Sequence, residues 1–381
     1  MAGLTLSNVR PIGFAGGAAV GTATIHIDAD GLVATTPSPD AELIDGAGAW
    51  ISPGWADLHV HVWHGGTDIS VRADAVGMKR GVTALADAGS AGEASFHGLR
   101  EYVIDRQMET VKAFINIGSI GLVACNRVPE LIDMRSIDVD RTLDVIEANR
   151  DVICGVKVRA SGVIVGAWGI TPAKIAKRVA EIAGLPLMVH IGEPPPLLDE
   201  VLDLLTPGDV VTHCFNGKRS GSIADTPALM ALAKRLAAEG VLMDIGHGAA
   251  SYSFRVAERA IGEGLKPYSI STDLHGHNID GPVFDMATTV SKVHAAGLEF
   301  EDCVAAITKR PRDFLGLAGD DGLKPGSPAD FTLFDVVDCD ETLIDSHGDK
   351  ARVRRMFEPR WAVRGNALRP AARAKAGEGG T

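Results

Sequence analysis

The stretch Pro53-Gly-Trp-Ala-Asp-Leu-His-Val-His61 indicates a buried β-strand that ends in two histidines. Because side chains alternate between the two faces of a strand, His59 and His61 lie on the same side and can bind one ion. Such a pair is weak evidence alone, since paired strand histidines are as often structural. Its meaning therefore depends on what ends the neighbouring strands.

From residue 54 onward, apolar strand-like segments alternate with amphipathic segments rich in Ala and Leu. Two of the amphipathic segments, 172–183 and 227–238, predict helices. The predicted strands are 54–61, 82–87, 112–118, 153–159, 186–190, 209–213, 241–245 and 269–273. This number of βα repeats over roughly 250 residues predicts an α/β fold whose parallel sheet closes into a (β/α)8 TIM barrel.

The two ends of the chain have a different pattern from its middle. Short strand-like segments separated by Gly-, Pro- and Asp-rich turns fill the first fifty residues, and the runs LKPGSPADFTLFDV and MFEPRWAVRGNALRP predict further strands. We expect 1–52 and 321–370 to combine into one small β-sandwich domain beside a barrel of residues 53–320. The small and polar residues 371–381 predict a flexible tail.

The composition excludes several classes of partner. The formal net charge is −12, and no run of Lys or Arg overrides it, so we expect neither nucleic acid nor membrane as a partner. A small-molecule substrate is the expected partner, and a homo-oligomer is compatible with this composition. The five cysteines are scattered without CxxC spacing, and the N-terminal stretch resembles neither a signal peptide nor a membrane span. A cytoplasmic location is therefore expected.

Polar side chains end three further predicted strands. His190 ends LPLMVH, His213 ends GDVVTH, and Asp273 ends YSISTD. Each alone is more simply explained as a hydrogen-bonded cap on a buried strand. Together with His59 and His61 they converge on one volume, because the carboxyl ends of barrel strands meet at one mouth. Neutral imidazole and carboxylate are the ligands that Zn²⁺ and similar ions favour.

Lys157 lies near the carboxyl end of the apolar strand VICGVKVRAS. A buried ammonium needs a partner or loses its proton, and beside metal ions a cation would be repelled. One interpretation is a lysine paired with a nearby acid. The other is a lysine carbamylated by CO2, which turns the cation into a carboxylate that two metal ions can share.

These motifs resemble the dihydroorotase-like members of the amidohydrolase superfamily over essentially the whole chain. PGWADLHVH is similar to the family's HxH signature, and PGSPADFTLFDV is similar to the turn with which its members re-enter the sandwich. The spellings GVTALADAGSAG, KVRASG, HIGEPP, THCFNG, DIGHG and STDLHGHN look most like the amidohydrolase/deacetylase subgroup.

The resemblance implies two divalent metal ions, which we expect to be Zn²⁺. It assigns one ion to His59, His61 and Asp273 and the other to His190 and His213, with a CO2-derived carbamate on Lys157 bridging both. A hydroxide between the ions would attack the scissile carbonyl, while Asp273 acts as catalytic general base and then general acid. The expected reaction is hydrolysis of a non-peptide amide or a carboxylic ester.

Four further residues are predicted to bind substrate. Arg159 lies two residues after Lys157, so the pleat directs both to one side, where a guanidinium can grip a substrate carboxylate in bidentate fashion. The alternative for this arginine is a salt bridge to a loop acid. Asn216, His247 and His275 follow the ends of the sixth, seventh and eighth strands and can hydrogen-bond to substrate. An acidic substrate is therefore expected.

Two other enzyme classes are alternatives to the deacetylase or esterase. The spacing His190-Ile-Gly-Glu193 matches the HxxE of the superfamily's single-metal deaminases, in which the glutamate shuttles protons. Lys157 argues against that class, which needs no lysine there. A cyclic amidase such as a dihydroorotase or hydantoinase suits the same metal centre. A non-catalytic relative is disfavoured, because all six predicted ligand positions carry competent side chains.

Overall fold

The structure is a computed structural model that describes residues 2–14, 21–317 and 322–375. The strands within these ranges are β1 (Leu4–Pro11), β2 (Ala23–Ile27), β3 (Val33–Ala34), β4 (Glu42–Asp45), β5 (Trp50–Pro53), β6 (Trp55–Val60), β7 (Val82–Gly92), β8 (Thr110–Asn116), β9 (Ile153–Ala160), β10 (Leu187–Ile191), β11 (Val210–Thr212), β12 (Leu242–Asp244), β13 (Asp330–Ile344), β14 (Lys350–Arg364) and β15 (Ala367–Pro370).

Helices separate the strands of the middle of the chain. They are α1 (Ala73–Val76), α2 (Phe96–Tyr102), α3 (Val139–Ala148), α4 (Gly162–Val165), α5 (Thr171–Ala183), α6 (Leu198–Leu202), α7 (Pro227–Ala238), α8 (Phe254–Gly262), α9 (Met286–Ala295), α10 (Phe300–Ile307) and α11 (Lys309–Phe314). The predicted helices 172–183 and 227–238 are confirmed as α5 and α7. Their ends follow local chemistry, since α7 has a Thr226 hydroxyl that caps the Leu229 N–H, and α5 stops at Gly184 with φ 65°.

Strands β6 to β12 form one parallel sheet in chain order. Their residues are almost all buried, as expected where both faces of a parallel sheet are covered. At one edge of the curled sheet Ser269 forms a parallel bridge with Asp244, and at the other Leu274 forms one with Val60. The predicted strand 269–273 is thus present as isolated bridges and not as a regular strand.

The strands from both chain termini form a second sheet with the order β15-β14-β13-β5-β1-β2-β3, and β4 pairs with β1. Its pairings are antiparallel except for those of β1 with β4 and β5. A core of its own lies against this sheet, with Leu6, Ile27, Phe331 and Leu333 fully buried. The expected α/β class and the separate sheet built from both termini are therefore confirmed.

The long hairpin of β13 and β14 reaches from the terminal sheet to the parallel sheet. Its turn touches the loops that follow β11 and β12, because the Phe254 N–H donates to the Asp345 carboxylate and the Gly217 N–H donates to His347 Nε2. The hairpin therefore supports the end of the parallel sheet at which the predicted ligands lie.

The expected tail differs from the structure where the chain is described. The Arg373 guanidinium pairs with Glu341 and Glu358, and the Ala374 N–H donates to the Asp285 carboxylate that caps α9. Residues 371–374 are therefore held by contacts with the rest of the chain, which the polar sequence did not reveal. Residues 376–381, and the expected domain boundary at 320/321, lie outside the described residues. Among the described residues, no helix is long and apolar enough to cross a membrane.

Candidate metal centre

The six predicted ligands meet at the carboxyl end of the parallel sheet. They are His59 and His61 at the end of β6, Lys157 in β9, His190 in β10, His213 after β11, and Asp273 between the two bridges at the sheet edges. The strand register aligns them, because His190 is level with Arg159 on one side and with Thr212 on the other. Strand alternation and parallel pairing together gather side chains that are more than 200 residues apart.

Asp273 lies at the centre of this cluster. Its Oδ1 is 3.3 Å from His59 Nε2 and 3.1 Å from His61 Nε2. The ring of His213 is 5.1 Å from that of His59 and 4.4 Å from that of His190, measured between centroids. Potential ligand atoms of His59, His213 and Asp273 lie within 4.8 Å of one another, a spacing compatible with one shared ion.

Hydrogen bonds fix the rings of two of these histidines. His213 Nδ1 is 2.6 Å from the Gly246 carbonyl, which can only accept, so Nδ1 carries the proton. His59 Nδ1 is 2.7 Å from the Thr212 hydroxyl, which donates its own proton to Asp244. In both rings Nε2 therefore keeps a lone pair for a metal ion, an orientation that such outer hydrogen bonds commonly impose.

His213 Nε2 has no hydrogen-bond partner within the described chain, although it is buried. Burial lowers the pKa of this imidazole to about 3, so the ring is neutral at neutral pH. Unsatisfied buried nitrogens are rare in folded proteins and demand an explanation. A neutral imidazole with a free lone pair among histidines and a carboxylate fits a divalent metal ion.

The backbone is strained at two of the predicted ligands. His213 has φ 70° and Asp273 has φ 49°, and both values lie in the left-handed region that side chains other than Gly seldom adopt. Such strain is retained where the surrounding structure determines it, and it concentrates at functional sites.

Lys157 is buried without a carboxylate partner among the described residues. Its Nζ is 3.4 Å from His59 Nε2 and 3.3 Å from Met188 Sδ. Burial lowers the pKa of this amine to about 7, although Asp273 opposes the shift. No acid of the described chain lies within ion-pair distance of this lysine, and an amine that is about half neutral at pH 7 faces the histidines.

A buried acid supports the floor of the site. Asp244 accepts hydrogen bonds from the hydroxyls of Thr212, Ser269 and Ser271 at 2.6–2.7 Å. Burial raises its pKa despite these bonds. This group was not predicted, although Thr212 and Asp244 are polar residues at the ends of apolar strands, which is the same signal that identified the histidines.

Electrostatics keep the central acid ionised. Burial alone would raise the pKa of Asp273, but the surrounding histidines, among them the hydrogen-bonded His61, hold it well below its usual value. Burial also lowers the pKa of His59 and His190 well below the usual value, so these rings are neutral. The site thus combines a carboxylate with neutral imidazoles.

A cavity of about 170 Å³ opens onto these residues. Two predicted substrate residues, Arg159 and His275, line it. The bidentate partner of Arg159 is the buried Glu130, whose carboxylate oxygens are 2.7 Å from Nε and 2.5 Å from Nη2. Two residues of the site were not predicted: Glu130, which carries no local signal, and Lys218, a cation that also lines the cavity.

Two predicted substrate residues do not line the cavity. Asn216 is buried, its amide donates to the carbonyls of His213 and Gly221, and its oxygen accepts from the Lys218 N–H, so its polar atoms are used in holding the loop. His247 is buried and bonded to Lys292 at 2.9 Å. The structure therefore does not bring these two predicted side chains to the cavity, because Asn216 is bonded within its own loop and His247 is bonded to Lys292 of α9.

Glu193 of the HxxE spacing is held at the rim. The Ser161 hydroxyl donates to one of its oxygens at 2.7 Å, and Lys218 Nζ lies 3.0 Å from the other. Glu193 does not line the cavity that contains the histidines. A larger cavity of about 630 Å³ lies at the opposite end of the sheet and has no histidine in its lining.

The chain is similar to curated deacetylases. It is 55% identical over 367 residues to the deacetylase Atu3266 of Agrobacterium fabrum (strain C58), a match that covers 95% of this chain and 90% of the relative. It is 54% identical over 367 residues to a deacetylase of Brucella anthropi, covering 95% of this chain and 91% of the relative. No protein-family model matches the chain.

Solved structures agree with these relatives. The crystal structure of a dihydroorotase is similar with a TM-score of 0.96 and 53% identity, over 99% of this chain and 100% of that one. The crystal structure of an adenine deaminase is similar with a TM-score of 0.87 and 33% identity, over 97% of this chain and 100% of that one. An enamidase of the amidohydrolase superfamily shares the fold, with a TM-score of 0.64 and 17% identity over 98% and 99%. Relatives this similar over nearly the whole length show that the chain belongs to the amidohydrolase superfamily, within its dihydroorotase-like deacetylase subgroup, and that it is a metal-dependent hydrolase.

Proposed function

We propose that this protein is a binuclear metal-dependent hydrolase that removes an acyl group, held by an amide or ester bond, from a small carboxylate-bearing substrate. The observation that carries the proposal is the buried His213 Nε2, which has no partner in the described chain, in a residue whose potential ligand atom lies within 4.8 Å of those of His59 and Asp273. The names of the deacetylase relatives favour acyl transfer to water.

The residues present fit two divalent ions. We assign one ion to His59, His61 and Asp273 and the other to His190 and His213. Imidazole nitrogens with a carboxylate favour Zn²⁺, which we therefore propose as the metal. When bound, the ions would supply Lewis-acid activation of water and of the scissile carbonyl.

We propose that Lys157 reacts with CO2 to form a carbamate that both ions share. The neutral Nζ attacks the carbon of CO2, and the proton released from nitrogen passes to solvent, so the side chain changes from a base to an anion. The absence of an acid within ion-pair distance, among the residues described, supports this step, since an ammonium would be left uncompensated there.

Asp273 is proposed as the proton carrier. Its Oδ1 faces His59 and His61, whereas its Oδ2 lies beside the backbone of Gly248, where a Cβ would come within 2.5 Å of it. The glycine leaves room for Oδ2 to take the proton of the attacking water. The same oxygen then returns that proton to the leaving nitrogen or oxygen.

Arg159 and His275 are proposed to bind the substrate carboxylate. Glu130 occupies the Nε and Nη2 positions of the guanidinium, and Nη1 has no hydrogen-bond partner in the described part of the chain. The edge formed by Nη1 and the second Nη2 hydrogen is thus free for a carboxylate. Glu130 would keep this edge aimed at the cavity.

The bridges of Ser269 and Leu274 support a closed (β/α)8 barrel over 53–320, with 269–274 in the place of the eighth strand. The terminal sheet, formed from 1–52 and 321–370, would be the sandwich domain beside it. The five free cysteines support a cytoplasmic location.

A cyclic amidase is the second candidate, because a dihydroorotase structure is 53% identical to this chain. A deaminase has a relative in the adenine deaminase structure, at 33% identity. It is less favoured here because both oxygens of Glu193 are engaged by Ser161 and Lys218.

The test combines metal analysis with a substrate screen. We expect about two equivalents of metal per chain and hydrolysis of N-acetyl amino acids or O-acetyl 2-hydroxy acids, offered as both enantiomers. The Asp273→Asn variant should lose activity by at least about 10²-fold, the lower range for general acid–base catalysis. One equivalent of metal with release of ammonia from adenine, or turnover of dihydroorotate alone, would overturn the deacetylase assignment.

A further inference from the structure

A second buried lysine lies beside the site without a described role. Lys292 of α9 is fully buried, and no ion pair with it is found in the described chain. Its Nζ donates to the Pro282 carbonyl at 2.6 Å and lies 2.9 Å from His247 Nε2. Burying an amine costs free energy, so a buried lysine with two specific partners points to a function.

The bonds of His247 fix its ring. Its Nδ1 is 3.0 Å from the Gly248 carbonyl, which can only accept, so Nδ1 carries the proton. Burial lowers the pKa of His247 well below its usual value, so Nε2 has a lone pair and accepts from Lys292. The ring also stacks on Tyr252, with 4.7 Å between centroids and 24° between planes. It cannot rotate without losing all of these contacts.

The His247 ring holds a turn between two glycines. Gly246 (φ 47°) and Gly248 (φ 57°) both adopt the left-handed backbone, which glycine allows at little cost. The Gly246 carbonyl accepts from His213 Nδ1 at 2.6 Å, and Gly248 lies against Asp273 Oδ2. The turn is thus in contact with one proposed ligand of each metal ion.

The hairpin of the terminal sheet closes the other side of the turn. The Ser346 hydroxyl donates to the Gly248 carbonyl at 2.9 Å and accepts from the Tyr252 N–H at 3.2 Å. Lys292 of α9 and Ser346 of the β13–β14 hairpin therefore both hold the turn, each from a different element of the fold. Glycine turns are flexible in isolation, so this support determines their shape.

We propose that His247, held by Lys292 and Ser346, is a positioning residue that keeps the Gly246–Gly248 turn in the shape that aims His213 Nε2 at its metal ion. The inference rests on the proposed function, since it needs an ion at His213. This positioning role is proposed for His247 in place of the predicted contact with substrate.

The experiment measures metal affinity by competition with a chelator, followed by elemental analysis, in Lys292→Met and Ser346→Ala. We expect one of the two ions to bind about 10- to 100-fold more weakly in Lys292→Met, the range for loss of an outer hydrogen bond to a metal site, and less weakly in Ser346→Ala. The second ion should keep its affinity. Thermal unfolding of the metal-free proteins measures any purely structural effect.

Lys177→Met is the matched control. Lys177 is also a buried lysine, but it pairs with Asp209 at the opposite end of the sheet. It should lower thermal stability without changing the affinity of either ion. Unchanged metal affinity in both Lys292→Met and Ser346→Ala, or equal weakening in Lys177→Met, would overturn the inference. If Lys292→Met does not fold, Ser346→Ala alone decides. Wild-type protein that binds fewer than two ions would instead contradict the proposed function.

Discussion

Arg159 donates from Nε and Nη2 to the two carboxylate oxygens of Glu130, at 2.7 and 2.5 Å, on the wall of the histidine-lined cavity. The acid is fully buried, and although burial alone would raise its pKa, Arg159 holds that pKa below the usual value. The pair is therefore ionised, and the guanidinium is fixed in one orientation. Only its remaining edge can meet a ligand.

Arg159→Met should weaken recognition of the substrate carboxylate. Charge-assisted hydrogen bonds contribute about 1.5–3 kcal/mol, so kcat/KM for an acetylated acid should fall about 10- to 150-fold. The carboxamide analogue of the same substrate, which lacks the charge, should lose much less. Steady-state kinetics on both compounds make the comparison, and equal losses would show that Arg159 only supports the fold.

Thr212→Val should loosen the metal ion bound by His59. The change keeps the side-chain shape but removes the oxygen that accepts from His59 Nδ1 and donates to Asp244. We expect affinity for one ion to fall about 10- to 100-fold. Thr142→Val removes an equally buried hydroxyl, bonded only to the Asp138 carbonyl in α3, and should leave the affinity unchanged. The idea fails if the two variants bind metal alike.

Activity should depend on CO2 through Lys157. Metal-free protein given Zn²⁺ in CO2-free buffer should regain activity more slowly than protein given Zn²⁺ with bicarbonate, because the carbamate has to form first. The Lys157→Met variant should bind fewer than two ions per chain, and bicarbonate should not change its activity. Equal rates of reactivation for wild type with and without bicarbonate would contradict the carbamate.

Glu193→Gln separates the hydrolase from the deaminase. In the proposed hydrolase Glu193 only pairs with Ser161 and Lys218, so deacetylation should change by less than about tenfold. A proton-shuttling glutamate would instead cost about 10²- to 10⁴-fold. Hydrolysis of an acetylated acid and ammonia release from adenine are measured in parallel. A loss as large as that of Asp273→Asn would favour the deaminase.

Much of the fold and of the ligand cluster could be predicted from the sequence. Period-two alternation and βα repetition indicate parallel strands, and a parallel sheet puts all carboxyl ends at one edge. His59, His190 and His213 therefore had to lie near one another wherever the connecting loops ran. The resemblance to amidohydrolases was carried by these same short strand ends.

Only the tertiary structure decided how the loop residues are used. Asn216 and His247 follow strand ends as the ligands do, yet Asn216 is bonded within its own loop and His247 is bonded to Lys292, which the fold brings in from α9. Glu130 lies in the irregular segment before α3, which carries no periodic signal, and it meets Arg159 of β9, 29 positions further along the chain. Strand positions are fixed by a repeating backbone geometry, which a sequence pattern reveals, whereas loop contacts depend on which buried polar groups find partners once the chain has folded.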